Sequence, residues 1–188
     1  MEDQTPAVSK QPSINAPGYN LSPPSSQLSS SFELPFQFQA TTFGAAETAA
    51  QVSLSSSTVI STIAKNFRHA KLIQCHAIIT PTYLAIANPI TINLVWVPDS
   101  STAKPSEILN VYGGTSFTFG GAFCSTKSII VPLPMNSVNL MLKDSALYTD
   151  GPKLLAYSPA PATPSKSPVA TIQISGKILL SSPLLQAS

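Results

Sequence analysis

The side chains best suited to nucleophilic, acid–base or metal chemistry in this 188-residue sequence are two histidines, His69 and His76, and two cysteines, Cys75 and Cys124. Their spacing supplies none of that chemistry. The histidines stand seven positions apart on or beside one predicted strand, which places them on opposite sides of a sheet and out of reach of a shared metal. Cys75 and His76 are sequence neighbours, so in a strand their side chains point apart and a nucleophile–base pair needs a partner from elsewhere. Neither cysteine belongs to a C-x-x-C or Cys/His ligand pattern, which fits a reducing compartment better than a disulfide scaffold. No G-x-S-x-G elbow occurs, and the carboxylates are scattered singly. Gly113-Gly114 and Gly120-Gly121 bracket Thr115–Phe119, but no Gly-Lys-Ser/Thr follows; paired glycines at both ends of a strand read as turns. The sequence is therefore read as that of a non-enzyme with no cofactor or metal.

One concentration of positive charge remains: Lys65, Arg68, His69 and Lys71. Taken by spacing alone it is an ordinary solvated loop, with a weak anion or RNA contact as the functional alternative. Ten basic and eight acidic residues leave a net charge of only +2, too little for a chain that grips nucleic acid mainly by its own positive field.

Short β-like runs must position these residues. Eight are predicted: Phe32 to Phe43, Thr48 to Leu54, Ala70 to Thr80, Ile90 to Val97, Thr115 to Phe119, Ser128 to Val131, Leu154 to Ser158 and Val169 to Leu180. In the third, Leu72 and Ile78 are expected opposite Ile73 and Ile79. Helical spacing marks three connections, Ser57 to Asn66, Pro105 to Val111 and Ser137 to Leu142. With no βαβ alternation, the fold class is all-β: an eight-stranded antiparallel jelly-roll sandwich with short helices in its loops. A seven-stranded immunoglobulin domain fits less well, because the spacing of Cys75, Trp96 and Cys124 departs from its framework.

Residues 1–31 are different. They are poor in apolar side chains, broken by Pro6, Pro12, Pro17, Pro23 and Pro24, and end in a serine cluster, so they read as a flexible N-terminal arm ahead of a folded domain over 32–188. The sequon Asn20-Leu21-Ser22 has no significance without secretion, for which the N-terminus carries no signal; no run is long enough to span a membrane. Composition points to assembly. Only 10% of residues are charged, against roughly 25% in an average soluble domain. A surface so neutral is solvated by hydroxyls and amides or covered by other chains.

Seven strings then occur in register: Phe67-Arg68-His69-Ala70, Val95-Trp96-Val97-Pro98, Val111-Tyr112-Gly113-Gly114, Leu142-Lys143-Asp144-Ser145, Pro152-Lys153-Leu154-Leu155, Ile174-Ser175-Gly176 and Ser182-Pro183-Leu184. Together they resemble the coat proteins of tymoviruses, small icosahedral plant RNA viruses, from about Leu34 to Leu185. The stretch from Leu34 to Leu54 is similar to the physalis mottle virus branch in particular. The resemblance implies a T=3 shell of roughly 180 copies, arranged as pentamers and hexamers around a positive-strand RNA genome, with the arm changing conformation between quasi-equivalent positions. It implies a virion protein made in the cytoplasm of the host plant cell. It places His69 toward RNA and raises Lys65, Arg68 and Lys71 as RNA-facing or interface residues. A second inner histidine of the family is replaced here by Ser181 or Ser182, which puts half of any pH-dependent RNA contact in doubt. About 180 chains of charge +2 bring on the order of 360 positive charges against several thousand phosphates, so polyamines or cations are expected as counterions.

The competing function is a non-enzymatic β-sandwich binding module of carbohydrate or adhesion type. Such a module lines its groove with exposed aromatics, and this chain has one tryptophan and 7% aromatic residues, mostly within predicted strands.

Overall fold

Runs of three to fifteen residues, apolar at alternate positions over most of their length, pair into two antiparallel sheets that bury their facing sides. The computed structural model describes residues 31–121, 127–144 and 150–184. The expected arm, apart from Ser31, therefore lies outside the described residues, as do Cys124, Ser145 and Leu185. The strands are β1 (Ser31–Phe43), β2 (Thr48–Ser53), β3 (Phe67–Pro81), β4 (Ile90–Pro98), β5 (Thr115–Phe119), β6 (Ile129–Pro132), β7 (Met141–Lys143), β8 (Pro152–Ser158) and β9 (Ala170–Pro183). Sheet A runs β1-β9-β3-β6, with β7 also on β3; sheet B runs β2-β8-β4-β5. Apart from the consecutive pair β4 and β5, neighbouring strands in each sheet are far apart in sequence, the crossover pattern of the jelly roll.

Among the described residues nine strands stand where eight were expected, and the extra one is a fragment. β6 pairs with His76 to Ile79 and β7 pairs with Ala70 and Lys71, so both lie along the same edge of β3. They are the two halves of one strand interrupted over residues 133–140. Between them, Leu133 N–H donates to the Cys75 carbonyl at 3.0 Å and Leu72 N–H to the Leu140 carbonyl at 2.7 Å.

That interruption corrects the helix expected over Ser137 to Leu142. The Asn139 side chain accepts from Met141 N–H at 3.0 Å, a local turn that competes with helix formation, and β3 captures the residues that follow. The other two helical connections form, as helix α1 (Thr58–Ala64) and a 3₁₀ turn over Pro105–Asn110. A further 3₁₀ turn over Tyr83–Ile86, not expected, is capped by Thr82, whose hydroxyl accepts from Leu84 N–H.

The inward sides are close to continuous hydrocarbon: Leu72, Ile79, Ile92, Leu94, Phe119, Leu154, Ile172, Ile174, Ile178 and Leu180 are inaccessible to solvent. Each such side chain contributes about 1.5–3 kcal/mol on leaving water. A smaller cluster of Val95, Val97, Ile108 and Leu155 forms on the other side of sheet B, where the 3₁₀ turn at Pro105–Asn110 covers one end of that face. At the same end Asp99 ties three segments together. Its Oδ2 accepts from Ser53 Oγ at 2.6 Å and Ser55 Oγ at 2.7 Å, while its carbonyl accepts from Lys153 Nζ at 3.0 Å.

The facing pattern in β3 also differs from the expected alternation. Leu72 and Ile79 are both buried, although they are an odd number of residues apart. A bulge lies between Leu72 and Gln74 in the pairing with β9, and one extra residue reverses the parity of everything beyond it.

Candidate nucleic-acid and assembly surface

The bulge decides where the chemistry-bearing residues of β3 point. Before it, Ala70 and Leu72 are buried and His69 and Lys71 face outward; after it, Cys75, Ala77 and Ile79 are buried and His76 faces outward. The two histidines thus stand on the same outer face of sheet A, not on opposite faces as uninterrupted alternation requires. Seven residues of strand still separate them by about 20 Å, too far to share a metal ion. Among the described residues no group of three or more His, Cys, Asp or Glu is placed to hold one.

The four cationic candidates do not form one patch. Lys65 is the residue that ends α1, exposed and off the strand. Arg68 has the parity of the buried Ala70 but is exposed at the start of β3. Only His69 and Lys71 share an outer face. His69 sits opposite Ser181 of β9, one of the two positions, Ser181 or Ser182, at which the family resemblance implies a second histidine, and Ser182 has φ +55°. His69 Nδ1 lies 3.3 Å from Asp144 Oδ1, with both side chains about a third exposed. The Lys143 ammonium donates to the Ala64 carbonyl at 2.9 Å and the Lys65 carbonyl at 3.3 Å, satisfying the open C-terminal end of α1. Lys143 and Asp144 were visible in the sequence only as part of a string. Their roles depend on the pairing of three-residue β7 with β3, for which so short a run gives no periodic signal.

Burial changes the chemistry of Cys75. Removal from water disfavours the thiolate and pushes its pKa from about 9 up to about 12. Burial of the neutral thiol therefore contributes stability below pH 9 that is lost as pH rises toward 12. The thiolate fraction near pH 8 falls about a thousandfold relative to an exposed cysteine. Iodoacetamide at that pH is expected to leave Cys75 unmodified in the folded protein and to label it in denaturant, read by peptide mass mapping; rapid native labelling is the contrary result. Its neighbour His76 points the other way, so the pair makes no catalytic dyad.

Comparison with known proteins places this arrangement. The family described as tymovirus coat protein matches residues 17–188. The capsid protein of eggplant mosaic virus is 68% identical over 188 residues, covering all of both chains. That of physalis mottle virus is 58% identical over 179 residues, 95% of each chain. Among solved structures, that of Desmodium yellow mottle tymovirus superposes with a TM-score of 0.83 at 40% identity, covering 96% of this chain and 99% of the other. Relatives of this identity over whole chains, the matched family and the shared two-sheet topology lead to one conclusion: the chain belongs to the tymovirus coat protein family and is a structural capsid subunit of the virus particle.

Proposed function

We propose that the chain assembles, without enzymatic activity, into a T=3 icosahedral shell of about 180 copies, built of pentamers and hexamers, that encloses a positive-strand RNA genome. The carrying observation is the apolar surface left at both ends of the sandwich. Tyr83 and Ile86, in the connection from β3 to β4, are 81% and 61% exposed; Leu109 and Tyr112, between β4 and β5, are 60% and 101% exposed. β4 runs from one of these connections toward the other, so the two patches lie at opposite ends of the molecule. Two different patches at opposite ends favour head-to-tail contacts, which close into rings when each copy is rotated relative to the last.

The low net charge supports a shell that leaves most of its cargo's charge to polyamines or cations, with the protein itself needing no cofactor. Residues 1–31 suit an arm that extends along a neighbour in some positions and not in others, ahead of a jelly-roll domain over 32–188. His69 and Lys71, with Arg68 and Lys65 nearby in sequence, are the contacts proposed to face RNA or a neighbouring subunit. Synthesis in the cytoplasm of the host plant cell accords with the reducing compartment inferred from the cysteines. A groove for a glycan is disfavoured, because the sole tryptophan, Trp96, is 7% exposed and its indole N–H is turned toward the Val131 carbonyl, 3.4 Å away.

Expression of the full chain, sedimentation on a sucrose gradient and negative-stain microscopy of the fast fraction test this. Isometric particles whose absorbance at 260 nm exceeds that at 280 nm are the expected result. A folded monomer that stays monomeric at high concentration overturns assembly, and uniform particles free of nucleic acid overturn the packaging reading.

A further inference from the structure

Cations are sorted between the two sheets. The strands of sheet A carry Arg68, Lys71, Lys143, Lys177 and both histidines, against a single acid, Glu33; those of sheet B carry one cation, Lys153. Lys153 is already committed, its ammonium donating to the carbonyls of Asp99 and Ser101 at 3.0 and 2.9 Å. Part of the outer side of sheet B is also taken up by the 3₁₀ turn packed on Val95, Val97 and Leu155. The outer side of sheet A beyond the bulge is uncovered among the described residues and carries amides, hydroxyls and an imidazole in register across three strands. Gln74 pairs with Lys177; His76 pairs with Ser175, which pairs with Gln37. One row further on stands Gln173, whose Oε1 accepts from Gln37 Nε2 at 3.4 Å.

We propose that this outer face of sheet A, centred on Gln74, His76, Lys177 and Gln173, binds single-stranded RNA inside the shell, well beyond the His69–Lys71 corner. The proposal rests on the reading that the shell encloses RNA. Amide and imidazole side chains offer both donors and acceptors, which suits base edges and 2′-hydroxyls, while Lys177 meets phosphate. A near-neutral face of this kind holds RNA with few released counterions, consistent with a chain of net charge +2. The bulge is what assembles it. Without the extra residue His76 and Gln74 would turn into the core and Cys75 would face outward.

Ultraviolet cross-linking of RNA in particles of the full-length chain, with adducts mapped by mass spectrometry, is the direct test. It is paired with two charge-matched variants, Gln74→Glu/Lys177→Gln on sheet A and Gln51→Glu/Ser116→Glu on exposed positions of sheet B. Adducts at residues 74–76 and 173–177, with RNA per particle lowered about twofold or more in the sheet A variant alone, are expected. RNA-filled particles with adducts elsewhere and equal RNA content in both variants overturn the face and leave packaging intact. Unsubstituted particles without RNA overturn packaging, and this proposal with it. A sheet A variant that is folded by circular dichroism yet forms no particles assigns the face to a neighbouring subunit and overturns the proposal.

Discussion

Gly176→Ala is expected to destabilise the subunit by about 3 kcal/mol or more, enough to remove much of the roughly 5–15 kcal/mol available to a domain of this kind. The reason is space. Gly176 lies in β9, the strand between β1 and β3, where a Cβ would stand 2.2 Å from the Gln74 carbonyl oxygen and 2.8 Å from Cζ of Phe36. The first neighbour is backbone on the bulge of β3, and the second is a ring only 4% exposed. Neither can withdraw without consequence. Moving the Gln74 carbonyl flattens the bulge, and a β3 without its extra residue cannot bury Leu72 and Ile79 together. The measurement is thermal unfolding of dissociated subunits by circular dichroism, together with recovery of particles from the gradient. A midpoint lower by roughly 6–12 °C and a large loss of particles are expected. A midpoint within a degree of the unsubstituted chain would mean that the bulge is not held by its neighbour.

The same bulge marks the boundary of what a reader of the sequence can know. Eight apolar runs separated by turn residues are enough to place the strands and the two-sheet architecture, because inward positions repeat with period two over most of each run. β3 breaks the period in its middle. Nothing in Leu72-Ile73-Gln74-Cys75 announces that one residue is extra, since the residues that pack and pair against the bulge are remote in sequence, Gly176 in β9 and the interrupted strand of β6 and β7. A reading by alternation thus places the histidines correctly relative to their immediate neighbours and wrongly relative to each other. β7 is hidden for a related reason. Three residues hold no period, and the apolar spacing of Val138, Met141 and Leu142 suits a helix until the edge of β3 is available to pair with them. The contact of His69 with Asp144 follows from that pairing and was out of reach for the same reason. The tymovirus strings made the family legible, but family strings carry no register; which residues share a face comes only from the hydrogen-bonded ladder.

The paired glycines separate what the sequence does show from what it does not, and they yield the second large prediction. Gly113 and Gly120 flank β5, and both have φ +87°, a conformation that costs any other residue about 1–2 kcal/mol. That much was readable: glycines at both ends of a strand are turns. Their surroundings differ. A Cβ on Gly113 meets nothing within 4 Å, whereas one on Gly120 would lie 1.7 Å from the Ala85 carbonyl oxygen and 2.6 Å from its carbon. Ala85 is buried within the Tyr83–Ile86 turn, the segment that presents Tyr83 and Ile86 at one end of the sandwich. Gly120→Ala must push that turn away from β5, opening a gap beside the fully buried Phe119. Gly113→Ala is expected to cost about 1 kcal/mol and Gly120→Ala about 3–4 kcal/mol, so the difference isolates the contact from the backbone conformation the two share. The second substitution carries an effect the first does not: displacing Tyr83 and Ile86 disturbs a proposed subunit contact, so particle recovery should fall further than the loss of subunit stability alone requires. Equal destabilisation by the two alanines would show that the turn yields freely. Equal stability loss matched to equal particle yield would remove Tyr83 and Ile86 from the assembly surface.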